Sequence, residues 1–151
     1  MIKFITNHSN TYGLFYIHSR LELLKIAKTR FASYYLTFRS LLKVRESFAS
    51  MVSSPQLQVL KERSTNAADK QGFEQVEETA LDGQFWACVR QVLESTKPIY
   101  SMIHFADINK PVIGEVYEKM NTMLGQIKDI IQKDDPNLYT LIHNCVCTWW
   151  K

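Results

Sequence analysis

"KTRFASYYLTFRSLLKVRESF", residues 28–48, carries an aromatic or aliphatic side chain on almost every helical turn, with three arginines and two lysines between them. Recurrence at three and four is the period of an α-helix. Phe31, Tyr35, Phe38, Leu42, Ala49 and Val52 form one stripe, and Arg39, Lys43, Glu46 and Ser50 line the opposite side. Thr29 is placed to accept a hydrogen bond from a free first-turn amide. Ser53, Ser54 and Pro55 end the helix, because proline has no amide to donate and restricts the residue before it. The basic side is either a solvated face or the edge of a surface that meets nucleic acid.

The same period governs most of the chain, and few stretches alternate as a half-buried strand would. Asp82 opens a second stripe through Phe85, Val89, Val92, Thr96, Ile99, Ile103 and Ala106. Pro98 lies inside it, removes the amide bond to Glu94, and predicts a kink or a split. A further helix is expected from about Pro111 to Gln132, buried through Ile113, Val116, Met120, Leu124, Ile127 and Ile131, with Glu115 and Lys119 at a favourable spacing of four. Asp135 and Pro136 read as the cap and first position of a last helix whose Leu138, Leu141, Cys145 and Trp149 share a face. Residues 61–80 show no clear stripe and read as a loop followed by a short exposed helix.

A chain of 151 residues, 46% hydrophobic and 22% charged, is long enough to bury a core and too apolar to be disordered. It holds no run of ~18 apolar residues, and "MIKFITNHSN" is too short an apolar opening for a signal peptide. Cys88, Cys145 and Cys147 are an odd number without framework spacing, so an intracellular chain is expected rather than a disulfide-stapled one. The net charge of +3 is unevenly spread: residues 1–63 carry ten Lys/Arg against three acids, and residues 64–151 carry eight against twelve. A polyanion would be met by the first half. Both ends stand in mid-pattern, with Ile2, Phe4 and Ile5 at one and Trp149 and Trp150 at the other. The expectation is a piece of a larger fold, with the two tryptophans offered to a protein partner or a second copy.

Other candidate chemistry is thin. His143, Cys145 and Cys147 are zinc-competent residue types, but on a helix only His143 and Cys147 share a face, and no CxxC pair completes a ligand set. Asp107, Asp134 and Asp135 are the obvious carboxylates for two metal ions, and each sits where a helix begins or ends, where capping accounts for it. His8, His18 and His104 have no neighbouring nucleophile and acid at a triad-like spacing. Arg30 beside Phe31 pairs a phosphate-gripping guanidinium with a ring able to stack on an unpaired base.

These residues also carry a family resemblance. "FITNHS", "ELLKIAKTRFASYYLTFRSLLKVRE", "LESTKPIYSMIHFADINKPVIGEVYEKM" and "YTLIHNCVCTWW" resemble, in that order, the middle section of plant hAT-type transposases and their host-retained relatives. In that family a zinc-finger region precedes a ribonuclease H-like core that is interrupted by a long α-helical insertion and followed by a dimerisation segment. The family's Thr-Arg-Trp motif corresponds to Thr29, Arg30 and Phe31, with phenylalanine replacing the tryptophan that can stack on a base. Leu57 is a second departure, at a position where the family often has tryptophan. The catalytic aspartates and glutamate of the family map onto no residue here.

The resemblance implies a mainly α fold of about five to seven helices, built as the helical insertion of an incomplete ribonuclease H-like core. Residues 1–30 would be a remnant of that core and residues 31–151 the insertion, with a loop near 53–68. It further implies a nuclear, non-catalytic, transposase-derived protein without a cofactor, since the divalent metal belongs to a complete transposase. DNA would be met by Arg30, Phe31, Arg39 and Lys43. The alternative is a helical protein-interaction module using Trp149 and Trp150. No catalytic residue, metal site or membrane contact is expected.

Overall fold

The computed structural model describes residues 1–23, 31–107, 113–132 and 135–149. Among them the chain is helical, without a strand, in nine elements rather than five to seven: α1 (Ile2–Asn7), α2 (Ser9–His18), α3 (Phe31–Lys43), α4 (Arg45–Val52), α5 (Pro55–Arg63), α6 (Ala67–Leu81), α7 (Gly83–Ala106), α8 (Ile113–Ile131) and α9 (Pro136–Trp149). The excess comes from short helices at breaks that apolar periodicity does not mark. One lies at Val44, whose amide is shared between the carbonyls of Ser40 and Leu41. No described helix is long and apolar enough to cross a membrane.

The helices form two compact units, Met1–Arg90 and Gln91–Lys151, whose boundary falls within α7. In the first unit α2 packs on α1, α4 and α5, and α4 packs on α3 and α6. The buried line along α3 and α4 is Thr37, Leu41, Val44, Phe48 and Met51. It runs at the expected spacing but is rotated from the predicted stripe, so Tyr35, Phe38, Leu42 and Ala49 are only half-buried. Phe48 meets Phe15 of α2 at 5.0 Å and Trp86 of α7 at 6.4 Å between ring centroids.

The loop expected near 53–68 is largely helical. Ser54 caps α5 by accepting from the Leu57 amide, Pro55 sits in the first turn, and Leu57 is fully buried. After the short turn that follows α5, Asn66 accepts from the Ala68 amide and starts α6. Rather than a short exposed helix, α6 packs on α4 and α5 and buries Phe73, Val76 and Ala80. Three apolar residues among acids and amides are too sparse a stripe to be read without their partner.

Gly72 explains how α1 and α6 approach each other. A Cβ built there would run into the Phe4 ring, which stands edge-on to Phe73 at 5.1 Å and over His8 at 4.2 Å. In an open helix position alanine is favoured over glycine by about 1 kcal/mol. Gly72→Ala is nevertheless expected to destabilise by about 1–3 kcal/mol, because the wedged ring must move. Gly125→Ala in α8, where a Cβ meets nothing within 4 Å, is expected to show the opposite sign. Paired thermal melts of the two variants check this, and a stabilised Gly72→Ala would remove the close approach.

In the second unit α8 packs on α9. Met123, Ile127 and Ile131 form the buried cluster, with Ile99 and Met102 of α7 and Tyr139, Ile142 and Val146 of α9 against it. Asp135 caps α9 as expected, accepting from the Leu138 amide at 3.0 Å. The predicted α9 face does not pack: Leu138 is 43% and Leu141 68% exposed, and Cys145 is exposed too. α7 continues unbroken past Pro98. Lys119 lies over the Phe105 ring at 5.5 Å, and no ion pair joins it to Glu115 among the described residues.

Candidate functional site

Arg39 and Lys43 project one helical turn apart from the exposed side of α3, as their spacing requires. With Leu21, Glu22, Leu36 and Ser40 they line a cleft of about 300 Å³. The Ser40 hydroxyl donates to the Glu22 carbonyl at 3.5 Å, which holds the segment after α2 beside α3. Neither cation is in an ion pair among the described residues. By contrast Lys61 is tied to Glu77 at 2.9 Å, and Arg45 stacks over Trp86 at 5.7 Å. Arg39 and Lys43 therefore remain available to an anion, with the Glu22 carboxylate as the opposing charge. Arg30 lies outside the described residues, as does the side chain of Phe31.

Nearby on α2, the Tyr12 and Tyr16 hydroxyls are 3.0 Å apart. That hydrogen bond, with the Glu22 charge adding to it, pushes the Tyr16 phenol up to about 12. Tyr16 is thus a neutral hydrogen-bonding group beside the cleft at any ordinary pH.

The zinc-competent residues do not assemble. His143 and Cys147 meet on one face of α9, with Sγ 3.7 Å from Nε2 and 3.8 Å from Nδ1, while Cys145 is exposed. No group of three His, Cys, Asp or Glu side chains that could hold a metal exists among the described residues. Asp107 ends α7 and Asp135 caps α9, whereas Asp134 lies outside the described residues. Trp150 and the side chain of Trp149 lie outside them as well.

One pair escaped sequence reasoning. His8, between α1 and α2, faces Asp69 of α6, with Nε2 3.2 Å from Oδ1. Its Nδ1 donates to the Phe4 carbonyl at 2.8 Å, an oxygen that can only accept. Both ring nitrogens therefore have a polar partner within the fold. The pair ties α1 to α6. It also forms part of the wall of a cavity of about 370 Å³, together with Asn7, Ser9, Asn10, Arg63 and Ser64. A separation of 61 residues left no spacing from which the pair could be read.

Comparison of the chain with protein-family models, curated proteins and solved structures found no match.

Proposed function

We propose that this chain is a catalytically incomplete, hAT-transposase-derived helical protein that binds DNA through the exposed side of α3. The observation that supports the reading is the pair of cations, Arg39 and Lys43, which have no ion-pair partner among the described residues and share one cleft of the more basic half of the chain. Two cations a helical turn apart suit successive backbone phosphates, which position a protein without reading sequence. By the family resemblance, Arg30 and Phe31 of the Thr-Arg-Trp motif would add a phosphate contact and a ring that stacks on an unpaired base. The ribonuclease H-like ancestry, the nuclear location and the absence of chemistry in this chain belong to the same proposal.

The test is binding to labelled duplex, hairpin and single-stranded DNA across a salt series. Each phosphate contact removed flattens the slope of log affinity against log salt by about 0.9 on duplex. Arg39→Ala with Lys43→Ala is expected to weaken binding to all sequences alike and to flatten the slope by about 1–2. Phe31→Ala is expected to weaken hairpin or unpaired DNA preferentially. A folded chain that binds none of these DNAs, or a double variant with an unchanged slope, overturns the reading.

A second reading is favoured by the outer side of α9, where Leu138, Leu141 and Cys145 are exposed on one face. There the chain would act as a helical interaction module for a protein partner or a second copy, the role the sequence suggests for Trp149 and Trp150. Dilution-dependent self-association that Leu141→Ser abolishes would favour it.

A further inference from the structure

Two hollows of the first unit meet at the same residues. One is the polar cavity bounded by His8 and Asp69. The other is a groove of about 560 Å³ between α2 and α5, with Leu14, Ile17 and Val59 along it. Ser9, Asn10, Leu60 and Arg63 line both. The combined hollow is thus polar at one end and apolar at the other.

The polar end holds donors without acceptors. α2 begins with no side-chain cap, and the amides of Ser9, Asn10 and Thr11 find no acceptor among the described residues. Thr11 is only 1% exposed, so water does not readily reach its amide. The Ser64 Oγ is shielded from solvent and has no hydrogen-bond partner among the described residues. Arg63 is in no ion pair among the described residues. The carboxylate on this wall, Asp69, already faces His8. Free amides at a helix start, beside a guanidinium, are the donor set that phosphate takes up. At the apolar end Ile17 is 77% and Val59 43% exposed, although both border a groove of ligand size.

We propose that this hollow binds a phosphate monoester with an apolar or aromatic body. The phosphoryl group lies against Arg63 and the first turn of α2, where the Ser64 hydroxyl can turn to it, and the body lies along Ile17 and Val59. The site shares no residue with the Arg39–Lys43 cleft and stands apart from the DNA reading.

Phenyl phosphate and inorganic phosphate, titrated into the full ¹⁵N-labelled chain beside sodium chloride at matched ionic strength, provide the test. Phenyl phosphate is expected to shift the Ser9, Asn10 and Thr11 amides saturably, and to bind several-fold more tightly than inorganic phosphate. Arg63→Ala is expected to weaken both by about tenfold, as loss of a charge-assisted contact does. Val59→Ser is expected to remove only the advantage of phenyl phosphate. Both residues are exposed, and an unchanged amide spectrum away from the site confirms that each variant is folded. Equal shifts with chloride, or undiminished binding by Arg63→Ala, would overturn the site. Equal affinity for the two phosphates would overturn the apolar body. An unphosphorylated oligonucleotide that displaced phenyl phosphate from these amides would assign the phosphoryl group to a nucleic-acid backbone and overturn the small ester.

Discussion

Trp86→Ala is expected to lower the stability of the Met1–Arg90 unit by about 3–5 kcal/mol, the upper range for deleting a buried aromatic. Trp86 is 1% exposed and stands in the first turn of α7, with Phe85 at 5.1 Å and the Arg45 guanidinium 5.7 Å from its ring. Its indole N–H donates at 2.9 Å to the carbonyl of Ala80, in the last turn of α6. Such terminal carbonyls have no partner within their own helix, so the indole satisfies an acceptor that would otherwise be buried and empty. Trp86→Phe keeps most of the apolar surface and loses only that bond, so a cost of about 1–3 kcal/mol is expected. Urea denaturation followed by circular dichroism ranks the two. A ranking with phenylalanine as costly as alanine would show that the hydrogen bond outweighs the packing, and a loss under about 1 kcal/mol for alanine would remove Trp86 from the core.

Ile127→Ala has the corresponding effect in the Gln91–Lys151 unit. Ile127 is fully buried at the centre of the α8 face, with Met123 and Ile131 one turn to either side. Removing its branched chain leaves a cavity bordered by side chains of three helices, which costs about 2–5 kcal/mol according to how far they can collapse. Ile127→Val removes one methylene and is expected to cost about 0.5–1.5 kcal/mol. Hydrogen exchange offers the local readout, since amides of α8 and α9 should lose protection in proportion. Amides in those helices that exchanged at wild-type rates in Ile127→Ala would contradict the packing described.

The helical class was legible in the sequence because buried apolar residues must recur at the period of the backbone. So were the stop at Pro55, the starts at Asp82 and Asp135, and the α8 stripe ending at Ile127 and Ile131. These are local rules of capping, proline geometry and amphipathicity, and they act within a few residues of the chain. The wet side of α3 was legible for the same reason: Arg39 and Lys43 are the residues least able to be buried without a partner.

What lay beyond those rules is the choice among faces and the meeting of distant residues. α9 has two apolar faces, and its own sequence favours neither. Packing on Met123 and Ile127 selected Tyr139, Ile142 and Val146 and left Leu138 and Leu141 in solvent. α6 carries too few apolar residues to announce itself, and became a core helix because it packs on α4 and α5, with Phe73 meeting Phe4. The tie between His8 and Asp69, the bond from Trp86 to Ala80, and the hollow shared by Ser9 and Arg63 all join separate helices. Where an apolar stripe, a cap or a proline marks it, a helix and its wet side could be read from neighbours along the chain, whereas the helix over 55–63 could not. Only the tertiary structure decided which apolar face is buried and which donors are left unpaired in a cavity, because those depend on neighbours in space.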